Sequence, residues 1–350
     1  MMNDLYDLQL FAGEANTQTT GHGGLSAEMK TYYGMELLEN AKPQLVHNQF
    51  AATKPLPTGG GKTVEWRKFG SFEKALTPLT EGVTPDGSGI SVSYITKELA
   101  QYGDYTTVSD LLDLTAIDDV VLEITDRHGS NMGLTLDTVT RNEIQQGSQV
   151  IYAPKLGADG GQTAVLHRYD LTEGCKLTSE LVAKAATQLK KMNAPTFEGK
   201  YVCILHPSVA FDLRQDPAWV AAHQYAAATE LFSGEIGELH GVRFIETTEA
   251  KVFNGEGCPV KTAADESNGT PAEYYSVYAT LFLGKDAYGM IDPEGGNMEM
   301  IIKDKGQVGG PLNQFSTLGY KFSSAAKILY QDRMVRVESC GAYSAQDEAK

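Results

Sequence analysis

Apolar and polar positions along this chain follow different periods in turn, and each period predicts an element. Ser26 is placed to cap a helix carrying Met29, Tyr33 and Leu37 at four-residue spacing, ending before Pro43. Further on, Val64, Trp66 and Lys68 alternate with Glu65, Arg67 and Phe69, the period of a strand. "GISVSYIT" alternates again, with Ile90, Val92 and Tyr94 on one face, and Thr84-Pro85-Asp86-Gly87 between the two runs is a turn signal. Together they predict a two-stranded excursion over 62–105. Both strands lack apolar residues on their second face, and an isolated hairpin is marginal in water. The excursion is therefore expected to lie on something else, another subunit being one such surface.

The period then lengthens. Leu114, Ile117, Val121, Ile124, His128, Met132, Leu136 and Val139 step by three and four behind a possible cap at Ser109. A continuous helix over 109–147 would run about 39 residues and roughly 57 Å, with Gly129 and Gly133 as places to bend or break. A second helix begins at the cap Thr178, has Glu180 in its first turn and the face Leu181, Ala185 and Leu189, and closes with Lys190 and Lys191. "YVCILHPSVAFDLRQDP" (201–217) predicts a buried strand and a helix entered at Pro207. "GEIGELHGVRFIET" brings a turn and a strand, 254–272 an exposed polar insertion, "YSVYATLFLG" a strand, and "LGYKFSSAAKILYQDRMVRVES" further β-like sequence. Residues 1–24 are polar and Gly/Thr-rich after "LQLFA" and predict an extended arm. The order of elements is α+β.

Charge narrows the function. The formal net charge is −16, from 29 basic and 45 acidic side chains, which argues against a surface that grips nucleic-acid phosphates. Hydrophobic residues at 41% and charged residues at 21% are those of a folded chain. The cysteines (Cys175, Cys203, Cys258, Cys340) are scattered without a Cys-x-x-Cys pair and are expected to be reduced. Asp4 and Asp7 stand where a signal peptide would carry Lys or Arg, and no apolar run approaches a membrane span, so no membrane partner is expected.

Candidate chemistry is thin. "PLPTGGGKT" (55–63) ends like a phosphate-cradling loop, but the earlier glycine of that pattern is Leu56, two prolines break the stretch before it, and a strand pattern follows Lys62 and Thr63. His206 is followed by Asp212 and Asp216, yet His-Pro-Ser after an apolar run marks a strand-to-helix joint, where Ser208 and the aspartates have capping and surface roles. There is no His-Glu-x-x-His and no Gly-x-Ser-x-Gly. Asp118-Asp119 are expected in solvent, and "NGT" (268–270) is read as a chance match to a glycosylation acceptor. No catalytic, cofactor-binding or metal-binding residue is expected.

The order of elements carries more. "YYGMELLENAKPQLVHNQFA" (32–51), "LTEGVTPDG" (79–87) with "QYGDYTTVSDLLDLT" (101–115), "CILHPSVAFDLRQDP" (203–217), "GEIGELHGVRFIET" (234–247) and "LGYKF…ILYQDRMVRVES" (318–339) follow one another as in a known family. The chain resembles the major capsid proteins of tailed phages, specifically the N-four-type family with the Hong Kong 97-like fold. The likeness spans most of 30–340.

The resemblance implies an α+β Hong Kong 97-like fold. It would have an N-terminal arm (1–53), an extended loop (54–106), a peripheral domain with the spine helix (107–177), an axial domain (178–316) around five-fold and six-fold axes, and a C-terminal strand returning to the peripheral domain (317–350). It implies a non-enzymatic subunit assembling with itself into pentamers and hexamers of an icosahedral shell. That shell would enclose double-stranded DNA without sequence-specific binding, be built in the bacterial host cytoplasm and end in the virion capsid. An acidic inner wall would leave packaged DNA untrapped. Portal, scaffolding and decoration proteins are further candidate partners. Trp66, Arg67, Phe69, Glu81, Tyr94 and Tyr102 would make inter-subunit contacts of the loop, and Gly59, Gly60 and Gly61 would be its basal hinge. An encapsulin-like compartment shell is the alternative within the fold, and an enzyme using a metal or nucleotide at His206 or Lys62 is the alternative of another class.

Overall fold

The computed structural model describes residues 45–57, 59–70, 89–115, 120–157, 161–223, 235–262, 272–293, 298–308, 312–343 and 347–350, with isolated positions between 72 and 87. The helix expected at Met29, Tyr33 and Leu37, most of the arm, Asp118-Asp119 and the tripeptide at 268–270 lie outside the described residues. The described residues form two compact units.

The larger unit takes Leu45–Ala100, Leu136–Glu294 and Ser324–Lys350. Its core is a seven-stranded sheet in the order β5 (Val150–Tyr152), β19 (Met334–Cys340), β14 (Val277–Leu283), β8 (Tyr201–Leu205), β10 (Val242–Glu246), β9 (Glu235–Leu239), with β11 (Val252–Phe253) also on β14. β14 runs antiparallel to β19 and β8, whereas β10 is parallel to β8 and β5 to β19. The unbroken apolar run YVCIL is explained by burial on both faces. Val202 and Ile204 face a cluster with Val46, Phe50, Ile144, Leu281 and Tyr288. Tyr201, Cys203 and Leu205 face the opposite cluster, with Leu181, Ala185, Leu189 and Leu213.

Helix α3 (Ser179–Lys191) covers that second face. Thr178 Oγ1 accepts from the Leu181 backbone N–H at 3.4 Å, the cap expected from sequence, and Leu181, Val182, Ala185, Ala186 and Leu189 are buried. α4 (Pro207–Arg214) begins at the expected proline and is followed by α5 (Pro217–His223). β9 and β10 are joined through His240 and Gly241, both at positive φ (54° and 77°), the geometry of a tight two-residue hairpin.

Smaller ladders complete this unit. β1 (Ala52–Leu56) pairs in parallel with β15 (Tyr288–Pro293), which is antiparallel to β18 (Ala326–Ile328). The expectation that two prolines prevent a strand before the glycines is corrected here: β1 tolerates Pro55 because it lies at the edge of its sheet. β2 (Thr63–Phe69) pairs with β3 (Val92–Glu98), β6 (Lys155–Leu156) with β7 (Gln162–Thr163), and β12 (Val260–Thr262) with β13 (Glu273–Tyr274). Cys258, within the expected exposed insertion, is buried against the core.

The smaller unit takes Gln101–Thr135 and Gly295–Ser323. It holds a three-stranded sheet in the order β16 (Glu299–Lys303), β17 (Phe315–Ser324), β4 (Ala100–Ser109), and the helices α1 (Asp110–Thr115) and α6 (Lys305–Val308). Close approach of β4 and β17 requires glycine: a Cβ at Gly319 would lie 2.7 Å from the Asp104 carbonyl oxygen, and one at Gly103 2.6 Å from that of Tyr320. Tyr102 and Phe322 stack at 5.5 Å, and Tyr320 lies beside Phe322.

The long helical stretch is described as α1 and α2 (Val120–Ile144). Ser109 Oγ accepts from the Leu112 N–H at 3.3 Å, as a cap does. α2 runs through Gly129 and Gly133 without interruption, and both are buried, so packing rather than propensity holds the helix there. In the part of α2 within the larger unit, Asp137 is fully buried and accepts from the His47 backbone N–H (2.7 Å) and bonds its Nδ1 (2.6 Å). The Tyr288 hydroxyl donates to the His47 carbonyl.

In the smaller unit His128 is buried beside Tyr320. Burial pulls its pKa below 6.5, and Asp104 with a Leu318 backbone hydrogen bond offsets only part of that. A histidine depressed on folding contributes stability that is present above the unfolded value and lost as pH falls through the folded one. The denaturant midpoint of unassembled subunits is therefore expected to fall on acidification below about pH 6.5, and His128→Phe to flatten that dependence. An equally steep profile in the variant would refute it.

Candidate functional site

The β2–β3 hairpin is built on strict alternation. Thr63 stands opposite Glu98, Trp66 opposite Ile95 and Phe69 opposite Val92, and the Gly70 N–H donates to the Ser91 carbonyl at 2.8 Å. One face carries Val64, Trp66 and Lys68 with Ser93, Ile95 and Lys97; the other carries Glu65, Arg67 and Phe69 with Val92, Tyr94 and Thr96.

The first face is a foot on the chain's own body. Val64 is buried with Ile291 and Ala325, and Leu56, Trp66 and Leu99 pack around them. The Trp66 indole lies over Gly289, where a Cβ would come within 3.0 Å of Nε1. Lys68 Nζ sits 4.7 Å from the centre of the Tyr330 ring. Lys97 Nζ donates to Glu143 Oε2 at 2.9 Å, and Lys327 Nζ to Oε1 at 2.8 Å. Burial raises the Glu143 pKa, but the hydrogen bonds from both lysines outweigh it and leave the carboxyl below its usual value. The two-faced hairpin thus finds half of the support it needs within the same chain.

The second face is exposed among the described residues. Phe69 is 58% exposed and Tyr94 59%, while Arg67 pairs with Glu65 at 3.6 Å and approaches the Tyr94 ring. Towards the tip Phe72, Leu76 and Ile90 are exposed as well, and Glu81 stands exposed in a turn. Apolar side chains gathered in this way mark an interaction surface rather than the scatter of a normal exterior. Tyr102, outside the hairpin, is half-buried on Phe322.

At the base, Gly59 and Gly61 adopt φ of +83° and +86°, a region L side chains resist. Lys62 pairs with Glu98 at 3.2 Å, with both side chains exposed, and β2 begins at Thr63. The glycines therefore lead into a strand, not into a helix N-terminus that could face phosphate.

His206 has a structural task. Its Nδ1 accepts from the Ser208 N–H at 3.2 Å as the cap of α4, and its ring stacks on Tyr278. Asp216 accepts from the Ser179 and Ala218 N–H groups at 2.8 and 2.9 Å. Asp212 departs from the surface role expected of it: it is buried, which raises its pKa, and it accepts from the Ala342 N–H at 3.0 Å. Its apolar neighbours Phe211 and Leu213 in α4 gave no sign of which side would be covered. Among the described residues, no group of three or more His, Cys, Asp or Glu side chains is placed to hold a metal ion. The four thiols are buried and unpaired with one another, and burial pushes Cys340 up to about 12. Lys68, Lys97 and Glu143 were missed as holders of the hairpin foot; the signal was two lysines on the apolar side of a period-two pattern.

A hairpin rooted by one face and exposed on the other suits a subunit that assembles with others. A family model described as phage capsid protein matches residues 91–307, and the chain belongs to that family. It is a structural major capsid protein with the Hong Kong 97-like fold. The capsid of Ralstonia phage GP4 is similar at 13% identity, covering 97% of this chain and 98% of that one, with a TM-score of 0.64. The capsid of cyanophage P-SCSP1u is similar at 15% identity over 84% and 87%, TM-score 0.59. The encapsulin of Synechococcus elongatus is similar at 10% identity over 89% and 93%, TM-score 0.53. No curated protein sequence matches the chain.

Proposed function

We propose that this chain forms pentamers and hexamers of an icosahedral shell that encloses the double-stranded DNA genome of a tailed phage, held without sequence-specific binding. The observation that carries the assembly mode is the hairpin with its foot on its own chain and its outer face bare. In this reading 54–106 is the extended loop over a neighbouring subunit, with Arg67, Phe69, Glu81 and Tyr94 facing that neighbour and Trp66 rooting the loop. The glycines at 59–61 are the basal hinge, since φ above zero at Gly59 and Gly61 sets the angle at which the loop leaves β1.

The helix α2 serves as the spine of a peripheral domain (107–177), 178–316 supply the axial domain, and 317–350 return to the body. Assembly takes place in the bacterial host cytoplasm, with portal, scaffolding or decoration proteins as further partners. In this reading the subunit's task is structural, and the engagement of His206, Asp212 and Asp216 with backbone N–H groups supports it. The test is expression of the full chain, followed by size exclusion and negative-stain microscopy. Closed shells are expected. A species that stays monomeric or dimeric at every concentration overturns the proposal, and shells that recruit a companion enzyme instead would favour a compartment.

A further inference from the structure

Residues 347–350 are seated in the larger unit by contacts to both the backbone and the side chain of Asp347. The Asp347 carboxylate oxygen Oδ2 accepts from Ser208 Oγ (3.0 Å) and from the Tyr278 hydroxyl (2.5 Å). The Asp347 N–H donates to Ser276 Oγ at 2.7 Å, and its carbonyl accepts from Ser276 Oγ (2.9 Å) and Asn254 Nδ2 (2.8 Å). Three residues on, Lys350 Nζ donates to the Thr248 carbonyl (2.9 Å) and pairs with Glu249 Oε1 (2.8 Å), while its N–H donates to the Val252 carbonyl at 3.1 Å.

With the segment seated, Ser208, Ser276 and Tyr278 are buried, so their hydroxyls meet the aspartate out of open solvent. The site lies at the first turn of α4, the positive end of that helix's dipole. The Ser208 and Tyr278 hydroxyls that reach the carboxylate carry no charge of their own. The acidic–basic pair at a spacing of three gives two anchors, and the residues between them, Glu348 and Ala349, are exposed and unread.

We propose that Ser208, Asn254, Ser276, Tyr278 and Glu249 form a peptide-binding socket for an Asp-x-x-Lys segment, occupied in cis by Asp347–Lys350 and open to the same segment of a second copy when the cis occupant leaves. The socket is independent of the shell assignment. A tethered occupant competes at high local concentration, so the socket in the intact chain is expected to be largely closed to free peptide.

The experiment uses the full chain carrying Asp347→Ala and Lys350→Ala, which vacates the socket, and a fluorescent peptide of sequence SAQDEAK. The vacated chain is expected to bind the peptide saturably, at least tenfold more tightly than the wild-type chain does. Peptide bearing Asn in place of its Asp, and a vacated chain also carrying Ser208→Ala, are each expected to lose tenfold or more. Absence of saturable binding by a cooperatively melting vacated chain overturns the proposal, as does equal binding of the Asn peptide. Loss of cooperative melting in the vacated chain would make the segment a permanent strap and overturns it too.

Discussion

Replacing Ser71–Ile90 with an Asn-Gly turn is expected to abolish shell formation while leaving the subunit folded. The Gly70 N–H already donates to the Ser91 carbonyl, so a two-residue turn closes the ladder at a hydrogen-bonded pair. Val64, Trp66, Lys68 and Lys97 keep their contacts with the body, since all lie on the retained strands. What is lost is the tip, with Phe72, Leu76 and Ile90 exposed. Burying each such side chain against a neighbour would contribute about 1.5–3 kcal/mol, and the loss recurs at every subunit of a shell. Shortening the loop changes subunit stability by only about 2 kcal/mol, because closure entropy varies slowly with length. Size exclusion should show a folded subunit or small oligomer, circular dichroism an unchanged spectrum, and micrographs no shells. Shells in normal yield from this variant would refute the extended-loop assignment.

Local periodicity told a good deal of this in advance, and non-local pairing told little. The alternation in 64–69 announced β2, because a strand buried on one side must alternate, but not that Trp66, expected beside Arg67 and Phe69 at a neighbouring subunit, packs on the chain's own body. The Thr178 cap and the proline entering α4 were legible for the same reason: each is settled within a turn of chain. β9 was not, since EIGEL carries a glycine and two glutamates at a sheet edge, where burial imposes no strong pattern. β1 was hidden by Pro55, which an edge strand can carry.

The foot of the hairpin was illegible because its partners are far away in sequence: Ile291, Ala325, Tyr330 and Glu143. The pair His47–Asp137, ninety positions apart, leaves no trace in spacing. Residues 317–350 supply β17, β18 and β19 to three different sheets, and β19 lies inside the seven-stranded one between β5 and β14. Nothing in a chain-order reading indicates which strands become neighbours once the polymer closes.

That interior strand carries the second large effect. Glu338 is fully buried on β19 and receives Arg168 through both nitrogens, Nε to Oε2 and Nη2 to Oε1, each at 2.7 Å. Arg336 Nε adds a third bond at 2.9 Å, and its Nη1 donates to the Gln145 carbonyl. The Arg168 guanidinium also lies 3.6 Å from the centre of the Phe253 ring. The hydrogen bonds to Glu338 outweigh the burial of Arg168 and raise its pKa. Glu338→Ala strands two guanidinium groups in a half-covered site with no carboxylate, and breaking a buried pair from one side costs about 3–5 kcal/mol. Glu338→Gln keeps the shape and one acceptor oxygen, and should cost about 1–3 kcal/mol. Urea denaturation of unassembled subunits measures both. The ordering matters more than either value: a wild-type-like Glu338→Ala would mean the network contributes nothing to β19. Because β19 is hydrogen-bonded on both sides, loosening it should lower subunit stability and shell yield together. The trimmed hairpin should lose shells alone, and that contrast separates a residue that builds the subunit from one that joins subunits.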